Sequence, residues 1–364
     1  MLEIKGEYGK DCKIFIDEVE SSAMSTIYNI LNHPVSEGKK VRIMPDVHDG
    51  VDIVIGFTMP LGDMVNPNHI GVDIGCGVLT AEMPKLSHSL EEIDQIIRKV
   101  IQMGFNHRDK ASTIFSPPKG LEDTCKKIGL DYGAVLRQIG TLGGGNHYIE
   151  IGKGAKGKIY ISIHSGSRNF GLQVCKYHTQ QAQNHQKGYS YLKGVEMVEY
   201  FSDMKIAQEF AYINRLTMLN DIKESLGLKI DFRCGIFDTI HNYIDFSRGI
   251  IRKGAVSAEK GELLAIPMNM RDGVLICVGK GNEDWNFSAP HGAGRILSRG
   301  AAKRTVKLDD FTEAMNGVYS TSINKDTLDE SPFAYKDMNT IIDCIKDTVE
   351  IISVVKPILN IKAS

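Results

Sequence analysis

The stretch GVDIGCGV, residues 71–78, is a glycine-rich turn that runs directly into a predicted apolar strand, Gly77–Met83. Glycine loses more backbone entropy in a regular element than any other residue, so a cluster of glycines indicates a tight turn or backbone that approaches a ligand. Three further clusters are GTLGGGN (140–146), HSGSRNFG (164–171) and HGAGR (291–295). Each cluster also carries polar side chains, and we therefore expect functional residues in these turns.

Strands and helices are mixed along the rest of the chain. One helix is predicted to begin at a capping box, Ser89–Glu92, and to close at Gly104. Two longer helices are predicted at Tyr200–Leu226 and at Asp337–Val355, the second stopped by Pro357. Further strands are predicted from β-branched and alternating apolar residues at Val41–Met44, Ile53–Phe57, Lys158–His164, Gly235–Phe246, Leu263–Pro267 and Val274–Val278.

No internal repeat and no low-complexity linker divides this pattern, so residues 1–364 are predicted to form a single α+β domain. With 42% hydrophobic residues, the chain can bury a full core. The net charge of −2 argues against a protein that holds nucleic acid by a global positive field. Any contacts with RNA must therefore come from local basic residues.

The chain shows no sign of a membrane partner or of export. It has no run of the roughly 18 apolar residues that a membrane helix needs, and its start, MLEIKGEYGKDC, lacks the apolar centre of a signal peptide. Seven cysteines, an odd number with no CxxC pair, favour reduced thiols and a cytoplasmic location. They are Cys12, Cys76, Cys125, Cys175, Cys234, Cys277 and Cys344.

Five side chains in or beside apolar strands and glycine turns are candidate metal ligands: Asp73, Cys76, His147, His164 and His241. Carboxylate, thiolate and imidazole together suit a divalent ion of the zinc or manganese type. A thiolate also has enough lone pairs to bridge two ions. Because the five positions are dispersed along the chain, their spacing alone does not decide the matter.

Each candidate ligand also has a structural alternative. A single histidine in a glycine turn can serve as a cap or as a hydrogen-bonding group in the core. A single buried cysteine can act as a small hydrophobic residue, and Asp73 can form an Asx turn.

The motifs, taken together and in order, resemble those of the RtcB family of RNA-splicing ligases. They are IMPDVHDG (43–50), HIGVDIGCGV (69–78), GTLGGGNHYIEI (140–151), ISIHSGSRNFG (161–171), RKGAVSAEKGELLAIP (252–267), FSAPHGAGRILSR (287–299), DESPFAYKD (329–337) and NIKAS (360–364). The match covers nearly the whole chain. The resemblance implies one domain of mixed β-sheets and flanking helices around a central dinuclear metal cleft.

The resemblance also implies a ligand set for two manganese ions. Asp73, Cys76 and His147 would hold one ion, and Cys76, His164 and His241 would hold the other, so that Cys76 bridges them. This set is the same as the one proposed from the residue types.

The resemblance assigns the nucleophile and the nucleotide site as well. His291 aligns with the histidine that becomes guanylylated, although a loop histidine that caps the following helix is the alternative. Asp46 aligns with an aspartate that accepts a proton from the RNA 5′-hydroxyl, with a turn-forming role as the alternative. Residues expected around the guanosine nucleotide are Asn146, His147, Glu150, His241, Asn242, Asn269, Gly292, Ala293, Gly294, Tyr335 and Lys362.

The implied activity is that of a GTP- and Mn²⁺-dependent ligase acting in RNA repair or tRNA splicing. It joins RNA ends that carry a 3′-phosphate or a 2′,3′-cyclic phosphate to 5′-hydroxyl ends, through a histidine–GMP intermediate. Two other classes remain open: a dinuclear metal phosphoesterase that acts on RNA ends without joining them, and a non-catalytic protein that binds RNA or nucleotides. The sequence identifies no activating protein partner.

Local basic residues supply the contacts with RNA phosphates in this interpretation. Arg168, Arg295 and Arg299 lie in or beside the motifs and are predicted to bind them. Arg252 and Lys253 are weaker candidates, with a solvated surface position as the alternative.

The sequence departs from the family pattern at residues 267–274. Many members read close to PGSMG with a serine two residues later, whereas this chain has Pro-Met-Asn-Met-Arg at 267–271 and Val274. Asn269 can form hydrogen bonds and Val274 cannot, which predicts an altered preference for guanine or an altered affinity for the nucleotide. The segment after MPDVH also lacks the family's usual glycine-rich run. We therefore expect a divergent branch that serves RNA repair instead of tRNA splicing.

Overall fold

The computed structural model describes residues 1–185, 189–232 and 235–363, and its mixture of helices and sheets confirms the α+β class. The strands are β1 (Leu2–Ile4), β2 (Asp11–Ile14), β3 (Lys40–His48), β4 (Ile55–Pro60), β5 (Met64–Val65), β6 (Gly77–Met83), β7 (Tyr148–Lys153), β8 (Ile159–Ser165), β9 (Gln183–His185), β10 (Tyr189–Lys193), β11 (Ile236–Ile240), β12 (Asn242–Asp245), β13 (Ile250–Lys253), β14 (Ala255–Ser257), β15 (Leu263–Pro267), β16 (Val274–Gly279), β17 (Ser288–Pro290) and β18 (Val349–Ile361). The α-helices are α1 (Ser21–Leu31), α2 (Leu90–Val100), α3 (Leu121–Ile128), α4 (Tyr132–Leu136), α5 (Arg168–Gln181), α6 (Gly194–Ser225), α7 (Arg299–Thr305), α8 (Leu308–Ala314) and α9 (Met338–Cys344). Cys234 and Ser364, which belong to the predicted thiols and to the C-terminal motif, lie outside the described residues.

Two large sheets form the framework. The seven-stranded sheet has the order β11-β6-β8-β7-β18-β16-β15, and every neighbouring pair in it is antiparallel. The six-stranded sheet has the order β1-β2-β3-β4-β13-β12, with a parallel pair at β2 and β3 and antiparallel pairs elsewhere. Smaller sheets are formed by β5-β10-β9 and by β14-β17.

The long helix α6 contributes to the two largest hydrophobic cores. Tyr200 and Phe210 pack in the core that includes the apolar residues of β3 and β4. Met218 and Ile222, farther along the helix, pack in the core beneath β6, β7 and β8. The helix therefore ties the two large sheets together. Within the described part of the chain, no helix is both long and apolar enough to cross a membrane.

Most of the predicted elements are present. β6 and β15 have the predicted bounds, and β4 begins two residues later than Ile53 and ends at Pro60. The capping box is confirmed, because the Ser89 side chain accepts a hydrogen bond from the backbone N–H of Glu92 and the Glu92 carboxylate accepts one from Ser89. The helix that it starts, α2, ends at Val100, ahead of Gly104.

The predicted helix Asp337–Val355 is wrong beyond its first two turns. α9 ends at Cys344, and the 13-residue strand β18 begins five residues later, at Val349. This strand is rich in β-branched residues and pairs with both β16 and β7, so tertiary pairing overrides the local helical spacing. A register shift between Pro357 and Leu359 lets a proline, which has no N–H to donate, lie within a central strand.

The predicted strand Gly235–Phe246 is in fact two strands that separate at His241. β11 pairs with β6 in the seven-stranded sheet, whereas β12 pairs with β13 in the six-stranded sheet. His241 therefore lies where the chain passes from one large sheet to the other.

Candidate active site

The five candidate metal ligands converge on Cys76. Its Sγ lies 3.2 Å from His164 Nε2 and 3.5 Å from His147 Nε2. The Nε2 atoms of His164 and His241 are 3.4 Å apart, and His147 Nε2 lies 2.9 Å from Asp73 Oδ2. The donor atoms form two triads, each with its atoms within 4.8 Å of one another. Cys76 belongs to both triads, in agreement with the predicted bridging thiolate.

Strand register explains why ligands so distant in sequence meet. In the seven-stranded sheet, His164 of β8 pairs with residue 78 of β6 on one side and with Tyr148 of β7 on the other. Cys76 immediately precedes β6, and His147 immediately precedes β7. The backbone N–H of His241 donates to the carbonyl of Cys76 at 2.9 Å. This bond holds the junction between β11 and β12 next to the start of β6.

Backbone hydrogen bonds set the orientation of the imidazoles. His147 Nδ1 lies 2.9 Å from the carbonyl of Leu142, and His164 Nδ1 lies 3.2 Å from the carbonyl of Asn146. Since a carbonyl oxygen can only accept, both Nδ1 atoms carry the hydrogen and both Nε2 atoms present a lone pair to the cluster. This arrangement is typical of histidine ligands, whose second nitrogen donates to a fixed group.

The electrostatics of the cluster also suit a cation. Burial lowers the pKa of His164 and of His241 well below the ordinary value, so both imidazoles are neutral. Burial raises the pKa of the Cys76 thiol well above its ordinary range, and a bound cation would offset that cost by favouring the thiolate. Burial opposes ionisation of Asp73 too, but the adjacent His147 lowers the pKa of Asp73 to about 2. The donor set therefore fits a divalent metal pair.

At two positions in the glycine clusters, a side chain larger than that of glycine would clash with the site. Gly143 has φ +88°, and a Cβ there would overlap the Arg168 guanidinium and crowd the His147 ring. At Gly166, a Cβ would overlap the carboxylate of Asp73. Backbone at both positions must pass close to the ligands, as the glycine clusters predicted.

His291 lies beside the metal cluster and is held by Asp46. His291 Nδ1 lies 2.6 Å from Asp46 Oδ2, which also accepts the backbone N–H of His291 at 3.0 Å. The rings of His291 and His241 are 4.8 Å apart, centroid to centroid. The helix-capping alternative is wrong, because Ser298 caps α7. The turn-forming alternative for Asp46 is also wrong, because Asp46 lies within β3.

A cleft with a cavity volume of about 450 Å³ opens over His291 and His164. Its size falls in the usual range of sites for small molecules and cofactors. Its lining includes most of the predicted nucleotide and RNA-binding residues, namely Asn146, Glu150, Asn269, Gly292, Ala293, Gly294, Arg295, Arg299, Tyr335 and Lys362.

Some predicted site residues lie behind this lining. Asn242 donates to the carbonyl of Asp73 and accepts from the N–H of Gly254, so it supports the metal-binding turn from the side. Arg168, with φ +56°, donates to Thr141 Oγ1 and to the carbonyl of Gly104. Neither side chain lines the cleft.

The polar wall of the cleft is built around Glu330. Its carboxylate accepts hydrogen bonds from Lys362 Nζ at 2.9 Å, from the Tyr335 hydroxyl at 2.8 Å and from Arg299 at 2.6 Å. Burial alone would raise the pKa of Glu330, but the Lys362 and Arg299 cations lower it to about 2. Sequence reasoning missed Glu330 as a site residue, although the DESPFAYKD motif contains it.

A second carboxyl in the wall behaves in the opposite way. Burial raises the pKa of Glu150 to about 8, although the amide of Asn360, which donates to it at 2.8 Å, and Lys362 lower it. Glu150 is therefore largely protonated at neutral pH, and its hydroxyl can donate as well as its carbonyl can accept. Asn360, in the C-terminal motif, is a second residue that sequence reasoning did not single out.

Arg252 and Lys253 do not lie at the surface, so that alternative is wrong. Arg252 is fully buried and donates to Asp245, Tyr243 and Ser288. Lys253 Nζ is also buried and donates to the backbone carbonyls of residues 51 and 68. Because both side chains are buried and neither lines the cleft, neither is placed to contact RNA phosphates.

The divergent segment forms a self-contained turn at the cleft edge. Asn269 Oδ1 accepts from the backbone N–H groups of Arg271 and Asp272, and Asn269 Nδ2 donates to Asp272 Oδ2 at 2.8 Å. Val274 is buried in an apolar cluster. The polar groups of Asn269 are thus largely used within the turn.

Comparisons with known proteins show which family the sequence resembles. A family model described as "tRNA-splicing ligase RtcB" matches residues 27–128 and 122–363. The RNA-splicing ligase RtcB of Escherichia coli is 30% identical over 393 residues, covering 94% of this chain and 95% of its own length. The tRNA-splicing ligases RtcB of Aeropyrum pernix and Methanococcus maripaludis are 26% and 24% identical, covering 82% and 93% of this chain and 82% and 92% of their own lengths.

Proposed function

The chain belongs to the RtcB family of RNA-splicing ligases, and on that basis we propose a GTP- and Mn²⁺-dependent RNA ligase that works through a histidine–GMP intermediate. Its substrates are an RNA end with a 3′-phosphate or a 2′,3′-cyclic phosphate and an RNA end with a 5′-hydroxyl. The relatives are named as RNA-splicing ligases, which supports an activity that joins RNA ends. The residues of the cleft support a reaction through a histidine–GMP intermediate.

The pairing of His291 with Asp46 is the observation that carries this proposal. Because Asp46 Oδ2 accepts from Nδ1 of His291, the neutral ring has its lone pair on Nε2. The ring lines the cleft, next to a metal ligand, His241. A nucleophilic nitrogen held in one tautomer beside a cation site is what attack on the α-phosphate of GTP requires.

In the first step, His291 Nε2 forms a bond to the α-phosphorus of GTP and pyrophosphate leaves. The guanylate then passes from His291 to the RNA 3′-phosphate, and attack by the 5′-hydroxyl seals the strand and releases GMP. Asp46 holds Nδ1–H throughout and stabilises the positive charge that develops on the ring.

Asp73, Cys76, His147, His164 and His241 would hold the two cations, which neutralise charge on the reacting phosphates when bound. The donor set suits zinc and manganese alike, and the choice of Mn²⁺ rests on the family resemblance.

The other cleft residues have binding roles in this proposal. Tyr335, Glu150, Asn146 and Lys362 surround the guanosine nucleotide. Arg295 and Arg299 also line the cleft and contact RNA phosphates, whereas Arg168 does not line it and donates to Thr141 and Gly104.

Incubation of the protein with Mn²⁺ and GTP labelled at the α-phosphate, followed by a denaturing gel, tests the proposal. The wild-type chain should retain the label, and the His291→Ala variant should not. A dinuclear phosphoesterase is the second candidate, because the two metal triads are complete without His291. Loss of cyclic phosphates from RNA with no labelled protein under any divalent metal would favour that candidate.

A further inference from the structure

His48 lines the same cleft but has no part in the metal cluster or in the guanylylation step. It ends β3, two residues after Asp46. Its ring is nearly parallel to that of His291, with an interplanar angle of 22° and a centroid distance of 6.4 Å. A second imidazole therefore lies beside the position from which the guanylate is transferred.

The hydrogen bonds of His48 determine its tautomer. Nδ1 lies 2.8 Å from the carbonyl oxygen of Asp46, which can only accept, so Nδ1 carries the hydrogen and Nε2 carries the lone pair. Within residues 1–185, 189–232 and 235–363, no group forms a hydrogen bond with this Nε2. The nitrogen is available to a ligand in the cleft.

The neutral form of His48 is the stable one in the protein. Burial, with a smaller contribution from His291, lowers its pKa to about 4 in spite of the opposing hydrogen bond to the Asp46 carbonyl. The anionic phosphates of a guanylylated RNA end, once in the cleft, favour the protonated form and raise this pKa towards neutrality. A general base is most effective in that range.

Asp46 is poorly placed for the proton-acceptor role that the family resemblance gives it. Its side chain is 0% exposed, and Oδ2 already accepts two hydrogen bonds from His291. Asp46 does not line the cleft. His48 belongs to the same MPDVH motif and does line the cleft.

We propose that His48 Nε2 is the general base for the sealing step, an inference that rests on the proposed function. The 5′-oxygen forms a bond to the phosphorus of the guanylylated 3′-phosphate. The bond from that phosphorus to the oxygen bridging to GMP breaks, and GMP leaves with the electron pair. The proton of the 5′-hydroxyl moves to His48 Nε2 and then to solvent.

The test measures sealing in a single turnover, with an RNA strand already guanylylated at its 3′-phosphate and a strand with a 5′-hydroxyl. His48→Asn keeps an amide that can donate to the Asp46 carbonyl and removes the basic nitrogen. Sealing should slow by about 10²- to 10⁴-fold, the usual contribution of a general base. His48→Gln should behave in the same way, and His107→Asn, which changes an exposed loop histidine, should seal at the wild-type rate.

Two further readouts separate base catalysis from other roles. Formation of the histidine–GMP adduct from GTP does not use this base, so both His48 variants should form it at nearly the wild-type rate, which also shows that they fold. A strand with a 5′-thiol ionises without help from a base, so it should be sealed at similar rates by wild type and by His48→Asn.

The inference is overturned if 5′-hydroxyl sealing slows less than about tenfold, if the 5′-thiol strand shows the same loss, or if adduct formation falls in parallel with sealing. The last two results would make His48 a positioning residue. Failure of the proposed function is a different outcome, in which the wild-type protein forms no adduct and seals neither strand.

Discussion

Replacing Asp46 with asparagine removes the negative charge that faces His291 while keeping the size of the side chain. The bond to Nδ1 is 2.6 Å long and the Asp46 carboxylate is wholly buried, so it is a charge-assisted hydrogen bond out of water. Such bonds contribute about 1.5–3 kcal/mol. If that stabilisation is lost when His291 becomes positively charged during attack, guanylylation slows by about 10- to 150-fold.

The assay is the single-turnover rate of label transfer from GTP to protein at saturating Mn²⁺. Asp203→Asn is a matched control, because it disrupts another buried aspartate–histidine pair, with His178 Nε2 at 2.7 Å, outside the cleft lining. The control should lower thermal stability and leave the rate of adduct formation nearly unchanged. An Asp46→Asn variant that forms the adduct within about twofold of the wild-type rate would refute the assigned role of Asp46.

Three other predictions concern the metals, pH and base choice. Elemental analysis should find both metal positions empty in Cys76→Ala. The control Cys277→Ala, a change in an apolar core, should keep two metals per chain. Full retention of metal in Cys76→Ala would refute the hypothesis that its thiolate bridges the two ions. The pKa of Glu330 is lowered from 4.5 to about 2 in the folded protein, so its ionised carboxylate stabilises the fold at any pH above the unfolded-state pKa. This contribution to the free energy of unfolding, on the order of 3 kcal/mol, is lost as pH falls from about 5 to 2. Denaturant unfolding should show a weaker loss in Glu330→Gln over that window, and equal pH dependence would contradict the assignment. GTP should label the protein better than ATP, since Tyr335 offers a stacking face and Glu150 a hydrogen-bonding group; equal labelling would mean that the altered turn at Asn269 has lost guanine readout.

The ligand types and the glycine turns could be predicted from the sequence because each is a local property. Asp73, Cys76 and His147 each lie in a turn whose composition indicates close backbone approach. Their convergence depends on the register of β6, β7 and β8, which no local pattern specifies. The family resemblance supplied that long-range information.

The failures have the same physical origin. The apolar spacing in the sequence of β18 is compatible with a helix. The segment forms a strand because it pairs with β7 on one side and with β16 on the other. Arg252 is charged and follows an apolar run, and its burial depends on Asp245, which reaches it through the pairing of two strands. The pairing of Asp46 with His291 spans 245 residues, so neither motif predicts it alone.

The most direct test of the account is whether His291→Ala can seal an RNA end that has been activated in advance. This variant should fail to join a 3′-phosphate end to a 5′-hydroxyl end in the presence of GTP, while keeping both metals, since His291 is not a ligand in either triad. Given a 3′-guanylylated strand, it should seal it, because the final step needs the oriented 5′-hydroxyl and its base but not the nucleophilic imidazole. Joining of the unactivated 3′-phosphate at the wild-type rate by His291→Ala would contradict the central claim.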